Sequence, residues 1–220
     1  EIIKKIEGIK AEVLKNCRVL ASTATKTYLK PEDFNDFDVV VVDEASMLIL
    51  PQAAYAASLS KEKVIFAGDF MQLDPIIATR KNIRGEANPE YPLVKKMVGR
   101  SVFEEINVEE KIASKSKNII TLNRQYRMNE KICKLINKYF YEGRLITDVS
   151  VKTVQKYPKM LNDNLILVDT ASAGPWANMP PGSYSRYNLT HACAIRNLCL
   201  YLQKEKIIED VNTLGVTTPY

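Results

Sequence analysis

Residues 38–46 read Asp-Val-Val-Val-Val-Asp-Glu-Ala-Ser, and the four valines indicate the fold class. β-Branched side chains suit a pleated sheet, and a strand that is apolar at every position is typical of one buried on both faces. Residues 63–67, Lys-Val-Ile-Phe-Ala, predict a second buried strand. Between the two, Pro51 suits the first turn of a helix that runs to about Leu59. This order of strand, helix and strand indicates an α/β fold with a parallel sheet and flanking helices.

The rest of the chain is expected to add further helices and strands. Apolar residues at three- and four-residue steps predict helices over residues 2–16, 128–140 and 189–202. Short apolar runs predict strands at residues 18–21, 119–122, 165–168 and 214–217. Glycines and prolines predict a loop over residues 170–187.

A polar, lysine-rich stretch, residues 107–118, marks the expected domain boundary. We therefore expect a first domain over residues 1–118 and a second over residues 119–220. Residues 111–220 carry 16 Lys and Arg against 8 Asp and Glu. A basic half of this kind attracts polyanions at short range, although a solvated basic surface without a partner explains it equally well.

The composition excludes several classes of protein. The 220 residues are 46% hydrophobic and 26% charged, which is typical of a globular protein and not of a disordered tail or a collagen-like fibre. The four cysteines form no Cys-x-x-Cys pair, and the single histidine, His191, leaves zinc-ligand spacing absent. No apolar run approaches the ~20 residues that cross a bilayer, and no secretory signal opens the chain. Reduced thiols, no membrane segment and an intracellular location are therefore expected.

Acidic and amide residues follow both predicted strands. Asp43 and Glu44 come directly after the valine run, and residues 68–72, Gly-Asp-Phe-Met-Gln, follow the second strand. In parallel sheets, ligands bind beyond the carboxyl ends of the strands. A carboxylate at that place suits Mg²⁺ on a phosphate, and an adjacent glutamate can orient or deprotonate an attacking water. Taken alone, the acidic pair is equally consistent with a solvated loop or a helix N-cap.

Three motifs in this order are much more specific than the acidic pair alone. They are Asp-Glu-Ala-Ser at residues 43–46, Gly-Asp-x-x-Gln-Leu-x-Pro at 68–75 and Gln-Tyr-Arg-Met at 125–128. Together they resemble the superfamily 1 helicases, in the branch that contains the nonsense-mediated-decay helicase and senataxin. Further segments agree with that branch in order and spacing, namely residues 101–104, 140–145, 185–188 and 215–220.

The resemblance implies a P-loop NTPase fold with two partial RecA-like domains that bind ATP in the cleft between them. Asp43 would hold Mg²⁺ through water, and Glu44 would be the general base. Gln72 would sense the γ-phosphate and couple it to movement. Arg127 would reach the γ-phosphate from the second domain and stabilise transition-state charge. Tyr126 would lie against the adenine, or else pack in the domain interface.

The same resemblance implies a track for single-stranded DNA or RNA, used by a protein that is expected to work as a monomer. Thr23 and Thr25 stand at a predicted strand end where family members contact phosphates, and Thr218 matches a later contact region. Trp176 lies in a loop rich in glycine and proline, where it could stack on a base. Its alternative role is to fold onto its own domain.

The phosphate-binding loop of the family, Gly-x-x-x-x-Gly-Lys-Ser/Thr, is absent, because none of the eight glycines is followed by lysine. We therefore expect the chain to be the central part of an ATP-dependent helicase and to be inactive in isolation. Two other hypotheses stay open at this point. One is a non-catalytic module that binds nucleic acid; the other is a metal-dependent nuclease with carboxylates at Asp43, Glu44, Asp69 and Asp74.

Overall fold

The computed structural model describes residues 2–34, 36–77, 88–151, 163, 165–174, 176–183, 185–208 and 214–218. The chain divides into two compact units, Glu1–Thr121 and Leu122–Tyr220. Helices and small parallel sheets make up both units. The expected assignment of residues 1–118 and 119–220 to two RecA-like domains stays a prediction.

The first unit is built around two parallel strands. Its elements in chain order are α1 (Ile2–Asn16), α2 (Ala24–Leu29), β1 (Phe37–Val42), α3 (Leu50–Ser58), β2 (Ser60–Phe66), α4 (Tyr91–Met97), α5 (Val102–Glu105) and α6 (Val108–Ala113). In the sheet, Val40 lies opposite Val64 and Val42 lies opposite Phe66. The predicted helix over residues 2–16, the helix after Pro51 and the parallel pairing of the two central strands are therefore confirmed.

Only one face of this sheet is buried. Val42 belongs to a core cluster with Phe103 and Val108, and Val40 packs against that cluster. On the other face Val39 is 48% exposed and Val41 is 63% exposed. The expectation of a strand buried on both faces is wrong, because this second face borders an open groove where a second packed layer would be needed.

The polar stretch at residues 107–118, the expected domain boundary, contains a short helix. Residues Val108–Ala113 form helix α6. Val108 is buried in the core, and Ile112, one helical turn later, packs against the same cluster. Two apolar residues at this spacing are enough to attach one side of a short helix, even where most of its other residues are charged.

In its described residues, the second unit has two very short strands and two longer helices. Its elements are β3 (Arg124–Gln125), α7 (Glu130–Tyr139), β4 (Ile146–Thr147) and α8 (Leu189–Lys204), and β3 pairs with β4 in parallel. Helices α7 and α8 confirm the two helices that the apolar spacing predicts for this half. Among the described residues, no helix is both long and apolar enough to cross a membrane.

Four expected strands are wrong. Residues 18–21, 119–122, 165–168 and 214–217 are described, but they pair with no strand in the described part of the chain. Val19, Ile120 and Leu167 are almost fully exposed. β-Propensity reports how well a side chain fits a half-buried pleated surface, so without a hydrogen-bonded neighbour these runs stay irregular.

The carboxyl ends of β1 and β2 are tied together by the backbone. The Ala67 N–H donates to the Val42 carbonyl at 2.8 Å, and the Ala45 N–H donates to the Ala67 carbonyl at 2.9 Å. Gly68 follows directly, and a Cβ added there would lie 3.0 Å from the Ala45 nitrogen and 3.1 Å from the Ser46 nitrogen. The two turns that follow the strands therefore lie in contact.

The Gly68→Ala substitution should destabilise the first unit. The added methyl group meets the buried Phe103 ring at 2.9 Å and two backbone nitrogens, which cannot rotate away, so we expect the free energy of unfolding to fall by about 1–3 kcal/mol. Urea unfolding measures this change. The control is Gly8→Ala in α1, where an added Cβ meets nothing within 4 Å. Equal stability of the two variants would contradict the close approach at Gly68.

Candidate functional site

The acidic turn after β1 is exposed at its start and buried at its end. Asp43 and Glu44 are exposed, whereas Ala45 and Ser46 are buried. The Glu44 N–H donates to Asp43 Oδ1 at 3.0 Å. The small residues at positions 45 and 46 fit beside Gly68 and anchor the turn, so the two carboxylates stand at the edge of the sheet with fixed backbones.

Glu44 has a left-handed backbone, with φ 52° and ψ 39°. This conformation costs an L-residue with a Cβ roughly 1–2 kcal/mol. It persists because Ala45, the next residue, is fixed by its hydrogen bond to Ala67. Stored backbone strain of this kind is common where a side chain has to be aimed at a ligand.

The turn after β2 is organised by Asp69. Its Oδ1 accepts the Met71 N–H at 3.0 Å, and its Oδ2 accepts the side-chain N–H of Gln72 at 2.9 Å. The Gln72 N–H also donates to the Asp69 carbonyl, at 3.1 Å. The Gln72 side chain is thus held at the same edge of the sheet as Asp43 and Glu44.

A groove of about 560 Å³ runs along the open edge of β1. Apolar residues form most of its wall, and Thr23, Asp43 and Glu44 also line it. Thr23 is the N-cap of α2, because its Oγ1 accepts the Lys26 N–H at 3.3 Å. Thr23 therefore lines the same groove as the acidic pair, whereas Thr25 is an exposed residue of α2 and is not part of this wall.

The donor chemistry at Asp43 fits a hard cation. Its Oδ1 is engaged by a backbone N–H, and its Oδ2 accepts no hydrogen bond from a described residue. One free carboxylate oxygen suits Mg²⁺, which keeps several waters. A two-metal nuclease needs more, and the described residues contain no group of three or more Asp, Glu, His or Cys side chains that could hold a metal. Among the described residues, Asp43, Glu44, Asp69 and Asp74 therefore form no such group, and the nuclease hypothesis gains no support from them.

In the second unit, Gln125 shapes the loop between β3 and α7. Its Oε1 accepts the N–H groups of Arg127 at 2.9 Å and Met128 at 2.6 Å. Its Nε2 donates to the Met128 carbonyl and to Thr147 Oγ1, both at 2.8 Å. Both acceptor positions and both N–H groups of the amide are used, which is the full capacity of a glutamine side chain.

Tyr126 and Arg127 stand out from this loop. Tyr126 is 64% exposed, and Arg127 is exposed as well. No carboxylate in the described part of the chain forms an ion pair with the Arg127 guanidinium. The bonds of Gln125 therefore fix the backbone from which both side chains project, and they leave the side chains available to a ligand.

Asp148, directly after β4, links that end of the strand to Arg124 of β3. The hydroxyl and N–H of Ser150 hold the pKa of the Asp148 carboxyl below its usual range, and Arg124 at 3.2 Å adds to the effect. A lowered pKa stabilises the folded state when the pH is above the ordinary pKa of an aspartate. This contribution is lost as the pH falls through the pKa of the folded state. Asp148 is therefore ionised at neutral pH, where it accepts the Ser150 N–H and pairs with Arg124.

Trp176 does not fold onto its own unit, since it is 81% exposed. It follows a short 3₁₀ turn, Ala171–Ala173, and precedes an antiparallel bridge in which Asn178 and Tyr187 exchange two 2.8 Å backbone hydrogen bonds. The loop that carries the indole is therefore braced close to the ring. Thr218 is exposed in the segment 214–218.

Sequence reasoning named Asp69 only as a carboxylate of the nuclease hypothesis and Gln125 only as part of a motif, and it missed that these two residues organise the turns. For both, a signal was available in the spacing. The side chain of an aspartate often accepts the backbone N–H of the second residue after it, as Asp69 does with Met71. Gln125 likewise precedes Arg127 by two residues and Met128 by three, so its side chain can reach their N–H groups.

Comparison with known proteins gives a consistent result. Residues 1–80 and residues 98–220 match two family models, each described as an AAA domain. The chain is 27% identical over 210 residues to DNA polymerase alpha-associated DNA helicase A of Saccharomyces cerevisiae, an alignment that covers 88% of the chain and 29% of that protein.

Two further relatives carry similar names. An uncharacterized ATP-dependent helicase of Methanocaldococcus jannaschii is 31% identical over 148 residues, which covers 67% of the chain and 19% of that protein. The ATP-dependent helicase NAM7 of Saccharomyces cerevisiae is 27% identical over 230 residues, which covers 99% of the chain and 21% of that protein. The chain spans less than a third of the length of each of these three relatives.

The substitution Gln125→Glu should loosen the loop of the second unit. A carboxylate keeps the acceptors but has no N–H for the Met128 carbonyl, so we expect a loss of about 1–3 kcal/mol in the free energy of unfolding. Hydrogen exchange at the Arg127 and Met128 amides and urea unfolding measure the effect. Gln203→Glu, at an exposed position of α8, is the control. Protection at Arg127 equal to that of the wild type would contradict the role of Gln125.

Proposed function

This chain belongs to the superfamily 1 helicases, in the branch of AAA-domain helicases that includes NAM7, and from that premise we propose that it drives ATP-dependent movement along single-stranded nucleic acid. Membership implies the P-loop NTPase fold. The proposed substrate is DNA or RNA, and the proposed working state is a monomer. Hydrolysis of ATP supplies the energy for movement or strand separation.

Four residues carry the proposed ATP chemistry. Asp43 would hold Mg²⁺ through water, and the positive charge supplied there would offset the charge of the phosphates. Glu44 accepts a proton from the attacking water. Gln72 hydrogen-bonds to the γ-phosphate, and Arg127 stabilises the charge that develops there. Tyr126 provides a face for the adenine.

The observation that supports this proposal best is the backbone link between the two turns. The bond from the Ala45 N–H to the Ala67 carbonyl and the close approach at Gly68 hold Glu44 and Gln72 at one edge of the sheet. A base and an amide that act on one phosphate must lie together in this way. Their separation in sequence makes chance proximity a poor explanation.

We also propose that residues 1–118 and 119–220 are two partial RecA-like domains with ATP between them. Two separate family matches, to residues 1–80 and 98–220, support the presence of two domains, and the two compact units Glu1–Thr121 and Leu122–Tyr220 support the place of the boundary. Arg127 then acts from the second domain on a nucleotide held by the first. Such an arrangement makes hydrolysis depend on the closure of the two domains, which is how a cycle of ATP binding and release is coupled to motion.

The proposed nucleic-acid track uses hydroxyl groups and one ring. Thr23, Thr25 and Thr218 contact phosphates, and Trp176 stacks on a base. The high exposure of Trp176 and the excess of basic residues after position 110 support this part of the proposal.

The substitution Glu44→Gln tests the chemistry. In a protein that carries this chain together with a phosphate-binding loop, we expect ATP turnover to fall by about 100- to 10,000-fold, because a general base is lost, while ATP still binds. Turnover and nucleotide binding are measured separately. The control is Glu62→Gln, at an exposed position of β2. Turnover like that of the wild type would remove Glu44 as the base.

The isolated 220 residues should hydrolyse ATP very slowly or not at all, because the sequence contains no Gly-Lys pair to hold the phosphates. A steady-state phosphate-release assay with and without single-stranded DNA measures this. Robust turnover stimulated by nucleic acid would contradict the expectation.

Trp176 offers a direct optical test of the track, since it is the only tryptophan of the chain. Binding of oligo(dT) or oligo(U) should quench its fluorescence. The substitution Trp176→Ala should weaken binding by about 5- to 150-fold, which corresponds to the loss of one stacked base, and Trp176→Phe should restore most of it. Met179→Ala, in the same loop, is the control. Stacking would be excluded if the fluorescence of the wild-type protein did not change on binding and Trp176→Ala bound with the wild-type affinity.

A further inference from the structure

The carboxylate of Asp69 links the backbone of its turn to the side chain of Gln72. One oxygen is held by the Met71 N–H at 3.0 Å, and the other accepts Gln72 Nε2 at 2.9 Å. Asp69 follows Gly68, whose position is set by contact with Ala45. The carboxylate is therefore fixed in place before it binds the amide.

The chemistry of the two groups determines which way the amide faces. An ionised carboxylate only accepts hydrogen bonds, whereas a glutamine amide has a donating end and an accepting end. Asp69 can therefore bind only the nitrogen of Gln72. One N–H of Nε2 stays available for a second acceptor, and Oε1 accepts no hydrogen bond from a described residue.

A phosphate oxygen likewise only accepts hydrogen bonds, so an amide that binds it has to present an N–H. We propose that Asp69 is a positioning residue, which fixes the amide of Gln72 so that its second N–H is ready for the γ-phosphate. This inference rests on the function proposed above. Gln72 is exposed, and an exposed glutamine side chain otherwise samples many rotamers. The bond to Asp69 removes that freedom before the nucleotide arrives.

The substitution Asp69→Asn tests the orientation and spares the turn. The asparagine Oδ1 still accepts the Met71 N–H, but an NH₂ group replaces Oδ2. That group donates to Gln72 Oε1, so the Gln72 amide is flipped and its oxygen, not its nitrogen, is bound to residue 69. In a protein with its phosphate-binding loop, we expect kcat for ATP to fall by about 10- to 100-fold, with a smaller change in KM and an unchanged unfolding midpoint. Asp74→Asn, five residues later and exposed, is the control.

A double-mutant cycle separates positioning from any direct role of the carboxylate. If Asp69 acts through Gln72, Asp69→Asn has no further effect on kcat once Gln72→Ala is present. An equal loss with and without Gln72 would overturn the proposal and leave the proposed function intact. Wild-type kcat in Asp69→Asn, or in Gln72→Ala alone, would also overturn it. Absence of ATP turnover in the otherwise unaltered protein would overturn both the function and the inference.

Discussion

Two backbone hydrogen bonds at the ends of β1 and β2 hold the first half of the candidate site together. They join Ala67 to Val42 and to Ala45, and they continue the contact of the two strands into the turns that follow. Side chains more than 20 residues apart are thereby placed on one edge of the sheet. Because Gly68 leaves no room for a side chain, the fit depends on backbone atoms, which cannot adjust by changing rotamer.

In the second unit, a side chain rather than strand pairing holds the functional loop next to the sheet. Its strands β3 and β4 have two residues each, too few for a ladder that fixes a neighbouring loop. Gln125 supplies the missing bonds and joins the loop backbone to Thr147 on β4. One unit therefore holds its functional side chains by strand pairing, and the other holds them by a single fully bonded amide. A single substitution can disconnect Arg127 from the sheet, whereas in the first unit backbone bonds join the strand ends themselves and the Asp69 side chain organises the turn after β2.

The sequence allowed the central elements and the place of the acidic pair to be predicted, because both follow from local rules. A run of valines favours a strand, periodic apolar residues favour a helix, and ligands bind beyond the carboxyl ends of parallel strands. Other features depend on partners that no local rule contains. Residues 18–21 have strand propensity but no strand beside them in the described structure, and Val41 is exposed because no described residue covers its face. Asp69 and Gln125 act through side-chain hydrogen bonds to nearby backbone N–H groups. Sequence spacing shows that such bonds can form but does not show which residues form them.

The left-handed backbone of Glu44 has an evolutionary consequence. Glycine or asparagine at position 44 would relieve roughly 1 kcal/mol of conformational cost, and either would remove the carboxylate. Selection for thermostability alone therefore favours the loss of this glutamate, and a mutational screen that scores only stability does so as well. The most stable sequence of this turn and the most active one are different sequences, and an engineering campaign on this protein has to score both properties at once.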